Sequence, residues 1–155
     1  MAIKPRQPAP ALEFDTLDGG RWSLAAQRPQ NFTMVVVYRG LHCPVCRRYT
    51  SELNGMIDDF TKRGVSTVIT STDPKERAEQ AKTQWGLPKL TIGYGVSIEK
   101  AREWGLYIST SRGVTSAGLL TFWIQRSTAE PPEKLGFAAD HVVKVLTELT
   151  QLVRG

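Results

Sequence analysis

The segment TMVVVYRGLHCPVCRRYTSELNGMIDDF, Thr33 to Phe60, decides how the chain is read. An apolar run ends at Tyr38, four residues turn the backbone, and Cys43-Pro44-Val45-Cys46 opens a helix. Val45, Tyr49, Leu53, Ile57 and Phe60 recur at steps of three and four, which predicts one apolar helical face. Arg47, Arg48, Ser51, Glu52, Asp58 and Asp59 fall on the other. The order is strand, turn, dithiol, helix, with one face for a sheet and one for water.

Helix-end physics explains why two cysteines suit this place. The first turn of a helix has N–H groups without internal partners and carries partial positive charge, so a thiolate at the N-cap is favoured. Cys43 stands at the expected cap, and Pro44 fits the first helical position, where its missing N–H costs nothing. Cys46 follows one turn on. A free cysteine has a pKa of about 8.5, and helix N-termini, cationic neighbours and C-x-x-C motifs lower it to roughly 3.5–7.5. With Arg39, His42, Arg47 and Arg48 flanking the pair, the expectation is a largely ionised, attacking Cys43 and a resolving Cys46. Cys46, inside the first turn, should be drier and its pKa higher.

These residues carry a family resemblance. The apolar strand followed by YRGLHCPVCRRY resembles the active-site turn of thioredoxin-fold proteins, and most closely the redoxin branch of peroxiredoxin-like, alkyl hydroperoxide reductase-related (AhpC/TSA) proteins. PAPALEFDTLDGGRWSL, Pro8 to Leu24, is similar to the N-terminal hairpin of that branch, and SIEKAREWGLY, Ser97 to Tyr107, resembles its later helix. The resemblance implies a thioredoxin-like α/β fold: a central mixed β-sheet flanked by helices, with an N-terminal β-hairpin. It also implies a protein disulfide or hydroperoxide substrate and a thiol reductant such as a thioredoxin or glutathione system. The C-x-x-C alone is less specific, because zinc sites share it.

Composition sets outer bounds. At 155 residues and 41% hydrophobic content the chain suits one domain, 1–155, rather than two. Net charge is +5, but Lys and Arg are scattered among Asp and Glu, with no basic block of the kind that binds nucleic acid. No stretch reaches the roughly 20 apolar residues of a membrane span, and MAIKPRQPAPALEF lacks a signal-peptide core. The cytoplasm is the expected compartment, where a lone cysteine pair is more often catalytic or metal-binding than a structural staple. Neither a Walker loop nor a dinucleotide G-x-G-x-x-G is present, so no organic cofactor is expected.

In chain order, Leu12-Glu13-Phe14 and Trp22-Ser23-Leu24 predict a hairpin around Asp18-Gly19-Gly20, and a brief helix follows over Leu24 to Arg28. Thr33 to Tyr38 and Val65 to Thr70 read as buried strands joined through the dithiol helix, a right-handed crossover with Cys43 at the carboxyl end of the first strand. Asp73-Pro74-Lys75-Glu76 predicts a second helix, with Asp73 as cap, Pro74 first and Glu76 reaching back as in a capping box. Ala78, Ala81 and Trp85 form its apolar side, and Gly86 and Pro88 end it. Leu90 and Ile92 predict a short extended piece, and Ser97 and Gly105 bound a third helix. Tyr107 through Gly113 reads as a polar connection and Leu119 to Ile124 as a strand. Ser127 to Lys134, with Pro131-Pro132, reads as an irregular loop where the family has a hairpin strand. Asp140 caps a closing helix with Val142, Leu146, Leu149 and Val153 inward.

Two departures from the resemblance bear on mechanism. Thioredoxins carry a cis-proline before the strand matching Leu119 to Ile124, and peroxiredoxins an arginine near that point. Here Ser116-Ala117-Gly118 stands there, with Arg112 in the preceding loop. In the peroxiredoxin pattern P-x-x-x-T-x-x-C the peroxidatic cysteine aligns with Cys46, the threonine with Cys43 and the proline with Arg39. The leading expectation is a dithiol oxidoreductase with Cys43 attacking, supported by Arg39, His42, Pro44 and Arg47. The alternatives are a peroxidase with Cys46 attacking, a metal module using Cys43, Cys46 and His42 or His141, and a non-catalytic thioredoxin-fold binding module. The tryptophans read as packing residues. A homodimer through exposed aromatic side chains near the dithiol is a further expectation.

Overall fold

The structure, a computed structural model, describes residues 9–111 and 114–125. The loop at Ser127 to Lys134, the closing helix from Asp140, His141 and Arg112 lie outside the described residues.

Strand β1 (Glu13–Thr16) alternates exposed and buried side chains, and β2 (Arg21–Ser23) returns antiparallel to it. Gly19, at φ +88°, makes the turn. Phe14 stacks on Trp22 at 4.9 Å between ring centroids, and Gly93 lacks the Cβ that would collide with the Phe14 ring. A 3₁₀ turn, Leu24–Ala26, replaces the longer helical reading before Pro29.

Strands β3 (Phe32–Val37), β4 (Val65–Thr70) and β5 (Thr91–Tyr94) run parallel. Strand β8 (Leu120–Gln125) pairs antiparallel with β3, and β1 pairs antiparallel with β5. The order β2-β1-β5-β4-β3-β8 is a mixed sheet with β3 and β4 inside it. The MVVV run has no polar alternation because both faces of β3 are covered. Met34 and Val36 join one core with Leu53, Phe60, Ala78 and Trp85, while Val35 and Val37 join the other with Phe14, Trp22 and Trp104.

The predicted long helix divides into α1 (Pro44–Gly55) and α2 (Ile57–Lys62), with Met56 at φ −106°, ψ 0° between them. The inward stripe also differs. Cys46, Tyr49, Thr50 and Leu53 are the buried residues of α1, spaced i, i+3, i+4, i+7, whereas Val45 is 58% exposed. A stripe advancing four residues per step drifts about 40° each time, which carries Val45 away from the face that Leu53 buries; Ile57, beyond the break, still packs on the core. Ser51 and Glu52 are half-buried rather than solvent-facing, and Ser51 Oγ donates to the Trp85 carbonyl at 3.0 Å.

Helix α3 (Lys75–Trp85) buries Ala78, Ala81 and Trp85, and Gly86 ends it at φ +66°. Its start corrects the capping-box reading: Pro74 is the N-cap, no side chain caps the helix, and Asp73 is engaged elsewhere. Helix α4 (Ile98–Glu103) is capped as expected by Ser97 Oγ, which accepts from Lys100 N. The polar connection after Tyr107 is instead β6 (Ile108–Ser111), paired antiparallel with β7 (Val114–Ala117) as a separate ribbon. Threonine and serine made that stretch look like loop, but cross-strand partners such as Thr110 and Thr115, whose hydroxyls meet at 2.8 Å, suit a ribbon with an exposed face.

Candidate active site

The dithiol lies beyond the carboxyl end of β3. Tyr38 N–H donates to the Thr70 carbonyl at 3.0 Å, prolonging the parallel pairing by one residue before the chain leaves the sheet. Gly40, at φ +136°, turns the chain, and its carbonyl accepts the Cys43 N–H at 3.1 Å. Cys43 then caps α1 with extended backbone, and Pro44 occupies the first turn.

Each sulfur holds one backbone N–H. Cys43 Sγ accepts from Cys46 N at 3.2 Å, the capping bond that helix-end physics requires. Cys46 Sγ accepts from Arg39 N at 3.3 Å. Both cysteines are reduced and enclosed, Cys43 at 4% exposure and Cys46 at 0%. Burial first, and then the hydrogen bond to the Cys43 sulfur, push the Cys46 thiol up to about 12, against the opposing Arg39 N–H and the Arg39 charge. Near neutral pH the proton therefore stays on Cys46.

The wall behind the pair is tied together. Thr50 Oγ1 donates to the Cys46 carbonyl at 2.8 Å, and the Tyr49 hydroxyl meets Thr121 Oγ1 at 2.6 Å, joining α1 to β8. Tyr38 packs edge-on against Trp85 at 5.6 Å, and burial pushes its phenol up to about 12.

The supporting residues divide. Arg39 reaches Cys46 through its main-chain N–H as well as its charge. Pro44 shapes the first turn. His42 and Arg47 are exposed; the Arg47 main-chain N–H bonds to the Cys43 carbonyl at 3.1 Å, and neither side chain bonds a sulfur. Ser116 and Ala117 end β7, and Gly118 N–H donates to the Tyr107 carbonyl at 2.7 Å. Asp73, read from the sequence as a helix cap, instead accepts the Leu41 N–H in the turn before the dithiol. Among the described residues no three His, Cys, Asp or Glu side chains gather as a metal site requires, and no helix is long and apolar enough to cross a membrane.

A dithiol at a helix N-cap, beyond the carboxyl end of a parallel strand in such a sheet, defines a thiol-dependent oxidoreductase of thioredoxin-like fold. The chain belongs to the AhpC/TSA family, whose model matches residues 5–128. Among solved structures it is similar to the peroxidoxin BcpB of Mycobacterium tuberculosis, with a TM-score of 0.67 and 17% identity over 94% of this chain and 95% of that one. A peroxiredoxin-like protein from Aquifex aeolicus gives a TM-score of 0.68 and 17% identity over 96% and 89%. A cysteine-to-serine variant of the peroxiredoxin 6 of Arenicola marina gives 0.66 and 20% over 96% and 74%. No curated protein matches the sequence.

Proposed function

We infer that this single redoxin domain reduces hydroperoxides or disulfides with Cys43 as the attacking thiolate and Cys46 as the resolving thiol. The observation that carries this order is the asymmetry of the pair: Cys46 is fully buried with its thiol pushed up to about 12, while Cys43 is the sulfur at the cap. With 4% exposure at Cys43, a small hydroperoxide meets less obstruction than a folded protein disulfide does.

The Cys43 thiolate attacks the terminal peroxide oxygen, the O–O bond breaks, and the departing alkoxide leaves as an alcohol after taking a proton. Cys43 is now a sulfenic acid. Cys46 attacks the Cys43 sulfur, the S–O bond breaks, and hydroxide leaves as water with the Cys46 proton. Two electrons have passed from the thiols to the peroxide. An external thiol reductant, of the thioredoxin or glutathione type, returns the disulfide to two thiols by exchange. With a disulfide substrate the first product is a mixed disulfide on Cys43. The setting this chemistry fits is the reducing cytoplasm, and a pairing of two chains is part of the same proposal.

One equivalent of hydroperoxide should convert the reduced protein to a form lighter by two hydrogens. Cys46→Ser should stop at a Cys43 sulfenic acid, and Cys43→Ser should leave the peroxide unconsumed. Persistence of two free thiols would overturn the dithiol cycle, and peroxide consumption by Cys43→Ser would make Cys46 the attacking residue.

A further inference from the structure

Asp73 follows the end of β4, and its carboxylate is 3% exposed. A buried carboxylate that caps no helix must find other partners. Oδ2 accepts the Leu41 N–H at 2.8 Å, and Oδ1 stands 3.4 Å from Arg77 Nε in an ion pair. The Asp73 main chain is held as well: its N–H donates to Ser71 Oγ at 3.1 Å and its carbonyl accepts from Gly95 N at 2.8 Å. The carboxylate is thus fixed before it meets the loop.

Gly40 is what lets it come close. A Cβ on Gly40 would stand 2.8 Å from Oδ1 and 2.9 Å from Oδ2, too near for any side chain. The residue is also at φ +136°, where glycine is favoured. The Gly40–Leu41 peptide is one planar group. Its N–H end is bonded to Asp73, and its carbonyl end accepts the Cys43 N–H at 3.1 Å. One residue earlier, Arg39 N–H donates to Cys46 Sγ. The segment that Asp73 anchors therefore touches both cysteines.

Resting on the reading of Cys43 and Cys46 as a redox pair, we propose that Asp73 is a positioning residue for it: the carboxylate pins the Gly40–Leu41 peptide and so holds the helix cap in the reduced arrangement. The disulfide keeps its two sulfurs together by a covalent bond. The dithiol depends on the loop. Removing the anchor weakens the reduced form more than the oxidised one and moves the equilibrium toward the disulfide.

The test is equilibration of the full chain, Asp73→Ala, Asp73→Asn and Gly40→Ala against a reference dithiol, with amide exchange and thermal unfolding measured on each. Asp73→Ala should shift the equilibrium constant about tenfold toward disulfide, which is about 30 mV for a two-electron couple. Asp73→Asn keeps an oxygen for the Leu41 N–H and should restore most of the shift. Gly40→Ala should move it in the same direction as Asp73→Ala and serves if that variant does not fold. An equilibrium constant unchanged in Asp73→Ala despite a lowered melting temperature would overturn the proposal, as would an asparagine no better than alanine. If the native pair forms no disulfide, the redox reading fails by itself, and exchange at Leu41 and Cys43 decides the anchor. Protection lost in alanine and kept in asparagine supports it; protection unchanged overturns it.

Discussion

The two ends of the parallel strands differ in kind. At the amino ends a cleft of about 480 Å³ opens between Pro29, Gln30, Gly64, Ser66, Thr67 and Lys89. Most of these groups are small and neutral, and the charge of Lys89 is taken by Asp58 at 2.7 Å. At the carboxyl ends there are two enclosed sulfurs, each accepting a backbone N–H, beside a buried phenol and near a buried carboxylate. This cleft and the two thiols lie at opposite ends of the strands. The thiols stand at the end where a helix N-terminus and loop N–H groups converge, a place that favours negative charge on sulfur.

Substitutions at the two ends should differ most in turnover. Cys43→Ser should abolish thiol-dependent reduction and rapid alkylation near neutral pH, while Thr67→Ala in the cleft should leave both near native values. Alkylation followed by mass spectrometry reads the first, and peroxide consumption reads both. Equal losses from the two changes would erase the distinction between the ends.

Alkaline pH should act through the carboxyl end as well. Burial raises the Cys46 thiol from 9.0 to about 12 and the Tyr38 phenol from 10.0 to about 12. Below about pH 9 both groups are protonated in folded and unfolded chains alike, and no stability is lost. Between about pH 9 and about pH 12 the unfolded chain releases these protons while the folded chain keeps them. Unfolded molecules then bind fewer protons, so stability falls as pH rises. Urea midpoints from about pH 8 to about pH 11 should show the fall. Cys46→Ser and Tyr38→Phe should each flatten it, and an unchanged slope in both would assign the alkaline loss to other groups.

Much of this was legible in the chain. The strands at Thr33 and Val65 show because both faces of the sheet are covered, leaving unbroken apolar runs. The dithiol shows because local rules act on it: a cap residue, a proline at the first turn and a partner one turn on. Asp73 was visible as a residue but misread, since the pattern Asp-Pro-x-Glu is a helix-start signal from local sequence alone. Its actual partner, Leu41, is 32 residues away and reachable only once β3 and β4 are paired. The β6–β7 ribbon escaped for a similar reason, because Ser109 with Ser116 and Thr110 with Thr115 become informative only as opposed pairs. The inward stripe was right at Tyr49, Leu53 and Phe60 and wrong at Val45, because Cys46 was assigned to chemistry alone, whereas it is also a core side chain.

A smaller effect should come from the tie between α1 and β8. Tyr49→Phe removes the hydroxyl that meets Thr121 at 2.6 Å and keeps the ring, 9% exposed, in the core. The loss should be about 0.5–1.5 kcal/mol, the net worth of an ordinary hydrogen bond. Denaturant titration measures it, and Thr121→Val paired with Tyr49→Phe in a double-mutant cycle isolates the bond from the packing. A cost near zero would mean that water replaces the lost partner.

The smallest effect should come from the amino end. Lys89 and Asp58 approach to 2.7 Å, and the bond holds the Asp58 carboxyl below its ordinary pKa, yet their side chains are 49% and 70% exposed. Water and salt screen such a pair, and two long side chains lose freedom in making it, so an exposed pair of this kind adds little. The Lys89 main-chain N–H also donates to Asn54 Oδ1 at 2.9 Å, a bond that survives loss of the side chain. Lys89→Ala should therefore cost less stability than Tyr49→Phe. That cost should shrink further as salt is raised, and peroxide turnover should be unchanged. A drop in turnover at native stability would give the open end of the sheet a part in the reaction and undo the separation of cleft from chemistry.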